Sequence, residues 1–195
     1  MRITAAIILI SVLFVSACTM PDTKIYSLYV DTAQEKSIRG EISDRSIAVL
    51  VNSPRYLSQS YIAYRTSPYE LEISKYSKWE ASPQDMFRVA AKNYLSSAGI
   101  FKEVRASNVV PEGFYSLEVD LKRFERDDRG TDSYGELTFD YNLYSPDGVM
   151  LYRGSIFKEV KLESKTFLDL AKGLSSMLEQ AVKEVAETIK QNIRK

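Results

Sequence analysis

Ser46-Ile47-Ala48-Val49-Leu50-Val51-Asn52 (SIAVLVN) is an apolar run of strand length, closed by Pro54. A strand with one wet face alternates apolar and polar residues; a run without alternation suits a strand covered on both sides. This segment is therefore read as the centre of a sheet. Just after it, Arg55-Tyr56-Leu57 leads through Ser58-Gln59-Ser60 to Tyr61-Ile62-Ala63-Tyr64-Arg65-Thr66. Ser67-Pro68 has turn chemistry, and Glu70 to Tyr76 (ELEISKY) sets Leu71 and Ile73 against Glu70, Glu72 and Ser74. The two segments form a hairpin.

Farther out, Ser82-Pro83-Gln84-Asp85 supplies a capping hydroxyl, a proline at the first helical position and an acid facing the free amides. Met86, Phe87, Val89, Ala90, Tyr94 and Leu95 recur at helical spacing before Gly99. The pattern predicts a helix over about 83–97, followed by a short strand at Ile100 to Val104. An antiparallel meander comes next. Tyr115, Leu117, Val119 and Leu121 alternate with polar residues, and the phase slips before Phe124, which marks a bulge or a strand end. Asp127-Asp128-Arg129-Gly130 turns the chain. Leu137, Phe139, Tyr141 and Leu143 alternate again, Pro146-Asp147-Gly148 makes a tight turn, and a third strand runs from Val149 to about Leu162. A second helix, about 166–193, is capped by Ser164 or Thr166. It carries one apolar stripe of Leu170, Leu174, Leu178, Ala181, Val182, Val185, Ile189 and Ile193. The fold class is α+β: a single domain with a mixed or antiparallel sheet and two main helices packed on it.

Upstream, Lys24 to Val30 (KIYSLYV) reads as a strand and the polar segment Asp31 to Arg45 as a loop. Met1 to Cys18 is different in kind. Arg2 gives a positive start, Ala5 to Ala17 is apolar apart from Ser11 and Ser16, and Val15-Ser16-Ala17 places small residues before Cys18. The run is shorter than the ~20 residues of a spanning helix and ends in cleavage-site chemistry. Residues 1–17 are expected to be a lipoprotein signal, 18–23 a lipidated tether and 24–195 the folded domain. Cys18 would carry diacylglyceryl and N-acyl chains, which anchor it to a membrane; no other cofactor is expected. Thr19 stands where an Asp would favour the inner membrane, so the expected site is the periplasmic face of the outer membrane.

Composition closes several classes. Lys plus Arg and Asp plus Glu are 26 each, which leaves no basic excess for nucleic acid. The chain has no His, and Cys18 is its one Cys. A Ser-His-Asp triad, a Cys-His pair, a His-containing zinc site and an intramolecular disulfide are all ruled out, and no enzyme is expected. Arg55, Tyr56, Tyr61, Tyr64 and Arg65 gather around one loop and hairpin, in the Arg and Tyr mixture enriched at protein interfaces. They are the candidate partner-binding residues; inward packing of Tyr56 and Tyr64, with the arginines paired to local acids, stays open beside that reading. Trp79 is expected to anchor the core between hairpin and helix.

The succession IAVLVNSPRYLSQSYIAYRT (47–66), ELEISKYSKW (70–79) and PQDMFRVAAKNYLSSAGIFKEV (83–104) resembles the ABC-type transport auxiliary lipoproteins, a PqiC-like family. Ser53 to Leu57, Ile62 to Arg65, Trp79 and Phe124 carry most of the likeness, together with the signal and the IYSLYV strand. The resemblance implies an accessory of a lipid or hydrophobic-compound transport system. Its partners would be a periplasm-crossing MCE-domain protein, a permease and an ATPase, with homo-oligomerisation left open. A lipid carrier and a structural envelope lipoprotein are the competing readings.

Overall fold

Strand β6, Tyr115–Arg129, is the hub of the sheet. The computed structural model describes residues 22–30 and 43–193. The signal and Cys18, the start of the tether, most of the 31–45 loop, and Arg194 with Lys195 lie outside them. In chain order the elements are β1 (Lys24–Tyr26), β2 (Ser43–Asn52), a 3-10 turn (Arg55–Leu57), β3 (Tyr61–Ser67), β4 (Glu70–Trp79), α1 (Pro83–Ser97), β5 (Phe101–Ala106), β6, β7 (Asp132–Tyr144), β8 (Met150–Lys161) and α2 (Phe167–Ile193). On one side β6 pairs with β7, and β7 with β8, all antiparallel. On its other side β6 is shared: β2 runs parallel to it from Tyr115 to Asp120, and β3 from Arg126 to Asp127. The sheet therefore forks. One branch continues through β2 to β5, the other through β3 and β4 to β1.

Both helices cover one face of this mixed sheet. Alternate residues of a strand point to one face, and Leu137, Phe139, Tyr141 and Leu143 join Ile47, Val49, Val51, Leu117, Val119 and Leu121 in the core. Phe87 of α1 meets Phe139 edge-on at 4.8 Å, and Trp79 meets Phe124 at 5.7 Å. All eight stripe residues of α2 are buried. Ser82 caps α1, its Oγ accepting from the Asp85 amide at 3.1 Å, and Gly99 ends it at φ +64°, where a side chain would be strained. For α2, Thr166 Oγ1 accepts from the Asp169 amide at 3.2 Å.

Four sequence expectations are corrected. The first strand stops at Tyr26, because β4 ends at Trp79 and leaves nothing for residues 27–30 to pair with. That stretch crosses to the helices instead, where the Tyr29 amide donates to Ser175 Oγ at 3.0 Å. Strand β2 starts at Ser43, inside the expected loop, and is interior rather than central. Of the two outcomes expected of the phase slip near Phe124, the structure has the bulge, between Leu121 and Arg123, and the strand runs on to Arg129. The turn falls at Gly130 and Thr131, and Asp127, Asp128 and Arg129, expected within it, belong to the strand.

The face away from the helices is bare and mostly polar. Cross-strand pairs lace its centre: Lys122 with Asp140, Arg123 with Glu136 at 2.8 Å, and Arg129 with Glu159 at 2.6 Å. Ser155 Oγ also donates to Asp140 Oδ1 at 2.6 Å, and Lys122 and Ser155 together hold that carboxyl below the usual range.

Candidate functional site

The five Arg and Tyr residues lie at the fork, and the fork explains where each one goes. Pro54 has no amide hydrogen to continue the β2 ladder, so the chain leaves β6 after Asn52 and rejoins it only at Tyr64. In the gap the 3-10 turn seats Leu57 in the core, fully buried. It brings the Tyr56 hydroxyl to 3.1 Å from both the Lys122 carbonyl and Glu125 Oε2, a donor shared between them. Tyr56 thus serves a backbone oxygen in the gap between the two branches. Glu125 is fully buried, and Arg65 Nε donates to its Oε1 at 2.6 Å. Burial, and then the Glu125 carboxylate, push the Tyr56 phenol well above its ordinary value; the hydrogen bond to Glu125 likewise raises Arg65, so both stay protonated donors.

Tyr64 points to the opposite face from Arg65. Its ring lies 6.1 Å from Phe167 at the start of α2, and the Arg126 guanidinium stacks 4.9 Å from each ring. The Tyr64 hydroxyl donates to Glu72 Oε2 at 2.6 Å, which raises the phenol. Arg126 also donates to the Lys165 carbonyl at 2.6 Å and to Asp128 at 2.9 Å, and so fastens the loop before α2 to the sheet. Arg55 and Tyr61 remain outward, Tyr61 with 41 % of its surface exposed. Glu125 and Arg126, the residues that hold this region together, were missed in the sequence. The only signal was the phase slip just before them, which carries two charges into a strand interior.

Beside Arg55 the fork opens as a cleft of about 350 Å³ lined by Asn52, Ser53, Pro54, Asp120, Leu121 and Lys122. A second groove, about 260 Å³, runs between α1 and Leu28 and Val30, with Met86, Val89 and Leu178 on its walls. Under the helices the packing is close: the void among Phe87, Leu95, Leu117 and Val185 holds about 10 Å³, at most one water. Among the described residues no cluster of His, Cys, Asp or Glu could hold a metal ion, and no helix is long and apolar enough to cross a membrane.

A family model described as ABC-type transport auxiliary lipoprotein component matches residues 26–186. No curated protein matches the chain by sequence. Among solved structures, protein XCC0632 of Xanthomonas campestris, of family DUF330, is similar with a TM-score of 0.73 and 19 % identity, over 88 % of this chain and 100 % of that one. A second, uncharacterized protein has a TM-score of 0.69 and 18 % identity, over 87 % and 99 % of the two chains. At those identities the likeness shows a shared fold.

Proposed function

Because this chain belongs to the ABC-type transport auxiliary lipoprotein components, we propose that it is the lipid-anchored periplasmic accessory of a transport system for lipids or hydrophobic compounds. Cys18 holds it to the outer membrane, and the domain docks the far end of an MCE-type periplasm-crossing protein whose permease and ATPase lie at the other end. It binds and does not catalyse. The observation that carries the docking role is the fork: an open cleft with Pro54 on its wall, and the exposed Arg55 next along the chain on a turn that Tyr56, Arg65 and Glu125 hold in place. Arginine on a rigid frame is a favoured interface anchor, because little freedom is lost when a partner seats on it.

The α1 groove favours a second reading, a carrier that itself takes an acyl chain. At about 260 Å³ it falls below the ~300 Å³ where small-molecule sites begin, so docking is preferred. In-cell photo-crosslinking from position 55, with mass spectrometry of what is captured, decides between them. Capture of an MCE-type protein is the expected result. Lipid alone would shift the weight to the carrier, and copies of this chain alone to a structural envelope role.

A further inference from the structure

Two places on the bare sheet face depart from the polar pattern: Phe157 of β8, 64 % exposed opposite Thr138, and a longer row at the far edge of the sheet, where the chain enters. Ile25 stands opposite Lys78 in the β1–β4 pair, and Lys78 opposite Tyr61 in the β3–β4 pair. Partners across a ladder project to the same face, so the three make one row about 10 Å long at ~4.8 Å per strand. Ile25 is 69 % exposed and Tyr61 41 %, with Lys78 exposed between them. Ile73, opposite Ala63, and Tyr76 in the bulged stretch of β4 extend the exposed apolar surface. Among the described residues, the ion pairs that lace the centre of the face stop short of this row.

The second observation is where the chain enters. Five residues lie between Cys18 and Lys24, the start of β1, so six Cα-to-Cα steps join them. At ~3.5 Å each they reach ~21 Å at most, whatever their conformation. An anchor on Cys18 therefore holds the β1 edge of the sheet near the bilayer. The row has the chemistry of that boundary: an aliphatic side chain that can enter the acyl region, a tyrosine for the headgroup level, and a lysine whose stem lies on apolar surface while its ammonium meets phosphate.

We infer that the Ile25–Lys78–Tyr61 row is a lipid-contacting surface that lays the β1–β4–β3 edge on the headgroups of the anchoring membrane. This rests on the Cys18 anchor proposed above and adds which face of the domain meets the bilayer. The fork opens one strand beyond Tyr61, so a partner seated there lies beside the membrane rather than away from it.

With Cys18 acylated, a cysteine introduced elsewhere is the one free thiol. Ile25→Cys, Tyr61→Cys and, as a control, Val149→Cys in the exposed β7–β8 turn are labelled with a nitrobenzoxadiazole dye. The full lipoprotein is then reconstituted into phosphatidylethanolamine and phosphatidylglycerol vesicles carrying nitroxide lipid. Blue-shifted emission and strong quenching at 25 and 61, but not at 149, is the expected result. Protein that floats with the vesicles while all three dyes behave alike overturns this inference and leaves the anchor standing. So does crosslinking of positions 25 and 61 to a protein partner in place of lipid. Protein that neither floats nor shows acyl mass on Cys18 overturns both.

Discussion

Glu125 sits inside β6 with its side chain fully buried, one oxygen held by Arg65 and the other facing Tyr56. A buried carboxylate stripped of its cation is expensive. Arg65→Met should cost about 3–5 kcal/mol in denaturant unfolding, and adding Glu125→Leu should recover most of it, because the pair's mutual attraction only offsets its own desolvation. Equal losses in the single and the double variant would show that packing, not charge, dominates at the fork. Tyr56 adds a pH signature. Its folded phenol titrates above the ordinary value of 10.0, so its contribution is complete below pH 10 and is lost as pH rises from there towards the folded value. Tyr56→Phe lacks that contribution at neutral pH already. Its stability should fall less steeply than the parent's in alkaline melts above pH 10; parallel curves would remove Tyr56 from the linkage.

Among elements, β8 and α2 show how closely the sheet must approach its cover. Gly154 leaves room for two rings: a Cβ there would come within 2.8 Å of Tyr152 and 2.9 Å of Tyr141. Tyr141 is pinned between Phe139 and the Thr188 hydroxyl of α2, so it has nowhere to retreat. Gly154→Ala should therefore destabilise by ~1–3 kcal/mol through overpacking, although alanine suits a strand no worse than glycine does. Thermal melts read this directly; an unchanged midpoint would mean the Tyr141–Tyr152 pair is free to slide. The 3-10 turn has a comparable structural role, since it fills the gap where neither β2 nor β3 pairs with β6.

For the molecule as a whole, the anchor matters most. Cys18→Ser should lose its acyl mass and move from the membrane fraction to the soluble periplasm. Retention in the membrane with the signal removed would contradict the anchor and the orientation built on it. The family places the domain in an ABC-type transport system. The core limits how it can serve there: among the described residues the void between helices and sheet holds about 10 Å³, so the larger spaces open to a cargo or partner are the surface cleft and groove.

The sequence by itself determined the elements and the class. Two helices, the hairpin and the meander are written in local periodicity, caps and turns, and each of these depends on residues within a few positions of one another. The ordered motifs from Ile47 to Val104 carried the family likeness for the same reason. Only the tertiary structure decided which strand lies beside which. A period of two says that one face is buried, and says nothing about the neighbour, so SIAVLVN looked central while β6 took the centre by pairing with three strands. The fate of the Arg and Tyr cluster was likewise out of reach. Tyr56, Tyr64 and Arg65 are engaged by Glu125, Glu72, Arg126 and Phe167, all distant in sequence or hidden inside strands, whereas Arg55 and Tyr61 are left outward. Whether a polar side chain is spent inside a fold or offered outside it depends on contacts that exist only once the chain has closed on itself.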